Sequence, residues 1–258
     1  MTQAAVGMVG GGRIARILLG GWARGGVSLP GLVVSDTNPE SLNCLKAEFP
    51  AVAVTQDNRE AAKQGVVLFA LHPPAFASVL SEIKESLAPD AVLVSVAPVW
   101  TMSRICGALG GFNRLARVIP NAPSIVGQGF NPLSFSERLA EEDRARVLAL
   151  FAPLGACPVV AESTLEAYAI VAAMGPTYLW YQLYQLLDLG VEFGLTREAA
   201  AEAVVAMVSG TSGTMAASGL TPEGVMDLIP VKPLAALEPS VKEAYVTTLA
   251  ALHKKLKG

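Results

Sequence analysis

The apolar positions of this chain change their period near residue 160. Up to there, short apolar runs bounded by glycine or proline alternate with stretches of helical spacing, which predicts alternating strands and helices. The run at 66–71 (VVLFAL) is continuous, as a strand buried on both faces should be, 91–96 reads as another buried strand, and 32–35 as the second strand of the chain. Further strands are predicted at 52–54 and 117–119, and helices at 13–22, 75–87 and 136–151. Asn38-Pro39 opens another helix, with Asn38 as cap and proline at the first helical position, and Asp57-x-x-Glu60 resembles a capping box. Such alternation predicts a parallel, doubly wound sheet with right-handed crossovers and its strand-to-helix loops along one rim.

Beyond residue 160 the pattern is helical throughout. Ser163-x-x-Glu166, Thr196 with Glu198, Thr221-Pro222-Glu223 and Ser240-x-x-Glu243 mark expected helix starts. Residues 167–187 carry no charge and have about the length of a membrane span. Gly175-Pro176 in the middle, Gln182, Gln185 and the lack of basic flanks favour a buried helix of a globular protein instead.

Composition adds a subunit interface to this picture. The chain is 52% hydrophobic and 16% charged, oilier than an ordinary globular domain, so a second buried surface is expected. A net charge of -3 favours neither nucleic acid nor an anionic membrane, and Lys254, Lys255 and Lys257 read as a solvated helix end. The three cysteines (Cys44, Cys106, Cys157) and two histidines (His72, His253) are scattered. This spacing predicts no metal site and suits a reducing, cytoplasmic setting; the first residues do not read as a signal peptide.

The first strand runs into Gly10-x-Gly12-x-x-Ala15, with Gly7 upstream, and a helix follows at once. Gly10 permits the tight turn, Gly12 lets backbone approach a pyrophosphate, and Ala15 lets the helix pack on the strand. Asp36 closes the second strand at close to the usual spacing for an acidic ribose ligand. A bound NAD or NADP is therefore expected in a Rossmann-type domain over residues 1–160, followed by an all-α domain over 161–258. The Asp36 carboxylate favours NAD, whereas Thr37 and Asn38 are able to bond a 2′-phosphate; Asn38 is equally a turn and cap residue.

Three other strand-end loops qualify. His72 follows a buried strand and is open to three roles: donor to phosphate or ribose, proton exchanger, or partner of a backbone group. Trp100, after Ala97-Pro98-Val99, reads as a packing residue. Ile119-Pro120-Asn121-Ala122-Pro123 is a rigid loop presenting the Asn121 amide to nicotinamide or substrate.

The order of motifs resembles the pyrroline-5-carboxylate reductase family. GMVGGGRIA, FALHPP in place of an LAVKPQ-like loop, IPNAPSIVGQG against MPNTPxxVGxG, and Glu162 with AAMGPTY against SGSGPAY carry the resemblance. So does Gly194-Leu195 before an alanine-rich helix containing Gly210. It implies reduction of a cyclic imine by NADPH or NADH, and a helical domain that joins two subunits, as a homodimer or a larger homo-oligomer built on it. Carried over by residue, Gly10, Gly12, Arg13 and Ile14 hold the pyrophosphate. Ala70, Leu71, His72, Pro73 and Ala97 lie along the nicotinamide half, Asn121 flanks the site, and Gly175, Pro176, Thr177 and Tyr178 begin the helix facing the substrate.

Four positions depart from the family pattern. His72 stands for a lysine, Ala97-Pro98-Val99-Trp100 for Ala-Ala-Gly-Val, and Met174 for a serine. Residues 228–234 (LIPVKPL) stand for TSPGGTT, the loop that grips the substrate carboxylate. Lys232 there is open to two readings, a point charge for a carboxylate or an exposed loop lysine. The expected function is thus reduction of a small cyclic imine or carbonyl compound, with the proton from water, Thr177 or His72. A 3-hydroxyacid dehydrogenase would usually carry a lysine near Gly175, and none occurs between Arg146 and Lys232. The reading from another class is a non-catalytic dinucleotide-binding protein that kept fold and dimer and lost its substrate loop.

Overall fold

The computed structural model describes residues 5–257, with Pro73 described by its backbone alone; residues 1–4 and 258, at the two ends of the expected domains, lie outside the described residues. Five strands alternate with helices as the pattern predicts: β1 (Val6–Val9), α1 (Arg13–Arg24), β2 (Val33–Ser35), α2 (Pro39–Glu48), β3 (Ala53–Thr55), α3 (Asn58–Ala62), β4 (Val66–Phe69), α4 (Pro73–Ile83) and β5 (Val92–Ser95). Next come α5 (Met102–Ala108), β6 (Leu115–Val118), β7 (Gly129–Phe130), β8 (Leu133–Phe135), α6 (Glu141–Phe151) and β9 (Gly155–Ala156). The main sheet has the order β3-β2-β1-β4-β5-β6-β8. β1 to β6 pair parallel, but β8 runs antiparallel to β6, with Val118 opposite Leu133. The wholly parallel sheet of the sequence reading thus needs correction at this edge. The segment between β6 and β8 is a 3-10 turn at Ala122–Val126 with Gly127 at φ 74, too short for a crossover helix.

Both faces of the sheet are covered, and the period of two along each strand sorts the side chains between them. Met8, Leu68, Val94 and Val118 meet Leu18 and Trp22 of α1 and Val147 and Phe151 of α6. Val9, Val67, Phe69 and Leu93 meet Phe76 and Leu80 of α4 and Ile105 of α5. Each such large side chain contributes about 1.5–3 kcal/mol when withdrawn from water. Trp22 also donates its ring N–H to the Leu150 carbonyl at 2.7 Å, so its burial leaves no orphaned donor.

The chain divides into two compact units, Met1–Met174 with His253–Gly258, and Gly175–Leu252. The division falls later than residue 160. Leu165 and Ala169, on α7 (Leu165–Tyr168) and the π-helical turn Ala169–Ala173, are buried against Ile119 at the end of β6 and tie this segment to the sheet. Glu166 does not close a capping box with Ser163; it turns inward, because a buried arginine offers its carboxylate a stronger partner than a helix end does.

The second unit holds α8 (Gly175–Glu192), α9 (Arg197–Ala217), α10 (Pro222–Asp227) and α11 (Glu238–Ala244), and α12 (Ala250–Lys257) ends the chain. Thr196 and Thr221 cap their helices as predicted, accepting from Ala199 and Gly224 N–H. The expected start at Ser240 is displaced: α11 begins at Glu238, and Ser240 bonds back to the Leu237 carbonyl. The expected helix over 167–187 is not continuous. It is interrupted at Met174, and on α8 Leu179, Trp180, Tyr181 and Tyr184 are 45–68% exposed in the single chain. Among the described residues no helix is long and apolar enough to cross a membrane.

Candidate active site

Strand order reverses its growth between β1 and β4, and at such a switch point the loops diverge and leave a crevice. A cavity of about 610 Å³ lies there, built entirely from the first unit. Gly10, Gly12, Arg13, Ile14, Asp36, Ala70, Leu71, His72, Ala97 and Asn121 all line it, as the sequence reading expects. Two further candidates, Gly7 and Thr37, do not. Gly7 sits inside β1, where a side chain would overlap the Ala61 carbonyl, so its smallness serves the packing of α3 and not a ligand. Thr37 is exposed beside Asp36, away from the cavity wall. The side chain of Pro73 lies outside the described residues; its backbone opens α4.

The two motif glycines have different reasons. Gly10 has φ 108, and a Cβ there would press on the Ala70 carbonyl, so the turn itself requires glycine. Gly12 has ordinary φ -78, and a Cβ would meet nothing within 4 Å. Its smallness leaves a cradle on the cavity side. Gly12 is also the N-cap of α1, with no side-chain cap and no acidic residue in the first turn. The leading N–H groups are therefore left for an anion, and the helix dipole favours one. This donor set fits a pyrophosphate.

Asp36 closes the rim. Its Oδ2 accepts from Gly11 N–H and its Oδ1 from Asn38 N–H, both at 2.8 Å. Asn38 in turn accepts from Glu40 N–H at 2.9 Å and caps α2. His72 is the N-cap of α4 yet makes no side-chain cap bond. Asn121, buried, holds two loops: Oδ1 accepts from Phe130 N–H at 3.0 Å, and Nδ2 donates to the Ala172 carbonyl at 3.3 Å. Its amide is thus engaged by the protein, and what it offers a ligand is the remaining lone pair and proton. Ala172 lies in the π-helical turn Ala169–Ala173, a form that recurs at functional sites.

Sequence reasoning missed the charged support behind the cavity. Arg117 of β6 is fully buried, with Nη1 3.0 Å from Glu162 Oε1 and Nη2 2.7 Å from Glu166 Oε1. Glu162 also accepts from Met102 N–H at 2.6 Å, and Glu166 from Val99 N–H at 3.4 Å. Val99 has φ 78, the one non-glycine residue with positive φ among those described. The available signal was a lone arginine in an apolar strand run, LARVI. Trp100 packs as expected, stacked on Phe76 at 4.8 Å with the Arg104 guanidinium 4.5 Å above its ring.

Gly175, Pro176, Thr177 and Lys232 belong to the second unit. The first three form the opening turn of α8, and Lys232 lines an open groove with Glu223, Asp227, Glu238 and Lys242. Met174, in the place of the family's serine, is on the cavity wall.

Comparison with known proteins agrees with this geometry. Residues 5–98 match the family model described as "NADP oxidoreductase coenzyme F420-dependent". Residues 162–253 match "Pyrroline-5-carboxylate reductase dimerisation". The pyrroline-5-carboxylate reductase of Escherichia coli strain K12 is 28% identical over 228 residues, 88% of this chain and 85% of that one. That of Mycobacterium leprae is 28% identical over 270 residues, covering 100% and 90%. A crystal structure of the Plasmodium falciparum pyrroline carboxylate reductase with NADP bound shares the fold, with TM-score 0.85 at 23% identity over 100% of this chain and 98% of that one. With both halves matched and near-full-length relatives of one kind, this chain is similar over nearly its whole length to pyrroline-5-carboxylate reductases.

Proposed function

We propose that the chain is an NAD(P)H-dependent reductase of a small cyclic imine of the pyrroline-5-carboxylate type. The observation that carries this reading is the open cradle at Gly12 before the uncapped start of α1, in the cavity at the switch point. Gly12, Arg13 and Ile14 would hold the pyrophosphate, Asp36 the adenosine ribose, and Ala70, Leu71, His72 and Ala97 the nicotinamide half. When bound, the nicotinamide supplies the hydride that the imine carbon takes up.

The chain's own residues orient and shield. Ile119, Val96, Ala97 and Ala173 make the inner wall apolar and exclude water from the reacting carbon. His72, standing on that wall with an imidazole able to donate or to accept, is the group proposed in this unit to hold a proton there. Thr177, on the second unit, is the other proposed proton source, and Lys232 the proposed point charge for a substrate carboxylate. The exchange of hydroxyls and glycines for prolines and apolar groups at 228–234 supports a substrate different in its polar part from pyrroline-5-carboxylate itself.

A second copy of the chain is the proposed cover for the second unit. Val231, Leu234, Val246 and Met215 are 69–73% exposed in the single chain, more apolar surface than a lone domain leaves to water. Oxidation of NADPH and NADH by the purified protein with pyrroline-5-carboxylate and a panel of cyclic imines tests the reading. Turnover on any of them supports it. Cofactor binding with no turnover across the panel would instead leave a dinucleotide-binding protein without catalysis.

A further inference from the structure

We propose that Glu166, together with Arg117 and Glu162, is a positioning residue. It holds the loop 97–101 in a backbone shape that Val99 does not adopt by itself, and through Ala97 and Pro98 sets the grip on the cofactor. This rests on the dinucleotide reading of the cavity given above.

Val99 is β-branched and has φ 78, a region such residues avoid because Cβ crowds the following carbonyl. A β-branched residue stays in this region only where the surrounding structure holds its peptide groups. They are held: the Val99 N–H donates to Glu166 Oε1 at 3.4 Å, and the Val99 carbonyl accepts from Arg104 Nη1 at 3.3 Å. One turn further on, Met102 N–H donates to Glu162 Oε1 at 2.6 Å. The two carboxylates are kept at fixed spacing by one guanidinium, since Arg117 reaches Glu162 with Nη1 and Glu166 with Nη2. From the other side, Trp100 is wedged between Phe76 and Arg104. Ala97 and Pro98, directly before Val99, are cavity wall, so any relaxation of Val99 moves that wall. A cap on α5 alone needs none of this; Thr101 already supplies it by accepting from Arg104 N–H at 3.3 Å.

The test is rescue by glycine, read by direct titration of NADPH and NADH as fluorescence binding curves, alongside thermal melts. Val99→Gly alone raises Tm by about 2–4 °C through relief of the backbone, net of the entropy that glycine costs. Glu166→Ala weakens dinucleotide binding by about tenfold, the scale of a wall displaced by a fraction of an ångström. The double variant Val99→Gly/Glu166→Ala recovers affinity to within about threefold of the parent, because glycine takes φ 78 unaided. A merely structural Glu166 would give a double variant no tighter than Glu166→Ala, and that result overturns the proposal, as does a Tm lowered by Val99→Gly. Where Glu166→Ala does not fold, Glu166→Gln is used in the same pair with the same criterion. Failure of the parent protein to bind either dinucleotide is a separate result, seen before any variant is made, and removes the dinucleotide reading itself.

Discussion

The carboxylate of Asp36 bonds the backbone N–H of Gly11 at 2.8 Å across the mouth of the β1–α1 turn. The acidic residue at the end of β2 therefore does two things: it shapes the glycine turn, and it sets a negative charge where the adenosine ribose would lie. Each oxygen keeps a lone pair for a ribose hydroxyl after its backbone bond. Asp36→Ala should lower stability by about 1 kcal/mol, the worth of a half-exposed bond. The ratio of NADPH to NADH affinity should rise by about tenfold as repulsion of the 2′-phosphate is removed. Parallel titrations of the two cofactors check it, and an unchanged ratio would show that the carboxylate serves the turn alone.

Gly10 and Gly12 should separate folding from binding. Gly10→Ala forces a side chain into positive φ against the Ala70 carbonyl and should cost about 2 kcal/mol or more. Gly12→Ala meets no protein atom within 4 Å and should leave the melting temperature unchanged. It should weaken dinucleotide binding by about tenfold or more by filling the cradle. Melts and cofactor titrations on both variants distinguish them. Equal loss of stability would mean that Gly12 answers to the fold.

Arg117→Met should be among the costliest single changes in the sheet unit. It leaves Glu162 and Glu166 facing one another without their shared cation, and removal of one partner from a buried pair costs about 3–5 kcal/mol. Denaturant unfolding measures it. A loss under about 1 kcal/mol would mean that the two carboxylates protonate or rearrange freely.

Much of this organisation is legible in the residues, and the exceptions share a cause. The continuous run at 66–71, the Asn38, Thr196 and Thr221 caps and the glycine turn all declare themselves, because each is a local pattern with a local physical reason. Arg117, Glu162 and Glu166 do not, since nothing within a few residues of any one of them names its partner. Ser163-x-x-Glu166 and Ser240-x-x-Glu243 look like capping boxes, but tertiary ion pairing takes Glu166 and Pro239 advances the start of α11. The spacing of Asp36 from the glycines is legible as that of a motif carboxylate, while its bond to Gly11 is not, being a matter of three-dimensional approach. His72 lies on the cavity wall, whereas Gly7 neighbours the motif in sequence and packs against Ala61.

Burial raises the Cys157 thiol above its ordinary pKa, more than the neighbouring Asn131 amide lowers it. In the folded chain Cys157 thus keeps its proton to higher pH than in the unfolded one. Its contribution to stability is complete below the unfolded thiol value, about 8.5, and is lost as pH rises toward the folded value. The fall of Tm above about pH 9 should be shallower in Cys157→Ala. Cys157 should also alkylate more slowly than exposed Cys44, as mass spectrometry after timed iodoacetamide treatment would show. Equal rates would contradict the burial argument.

The most direct test of the account follows the hydride itself. Purified protein is given NADPH or NADH carrying deuterium at the transferable nicotinamide position, with pyrroline-5-carboxylate or the best imine of the panel, and the product is weighed by mass spectrometry. The account predicts a reduced product heavier by one deuterium, formed by the parent and suppressed in Gly12→Ala at subsaturating cofactor. Cofactor that binds in the cavity and is never consumed, or product formed equally well by Gly12→Ala at low cofactor, would contradict it.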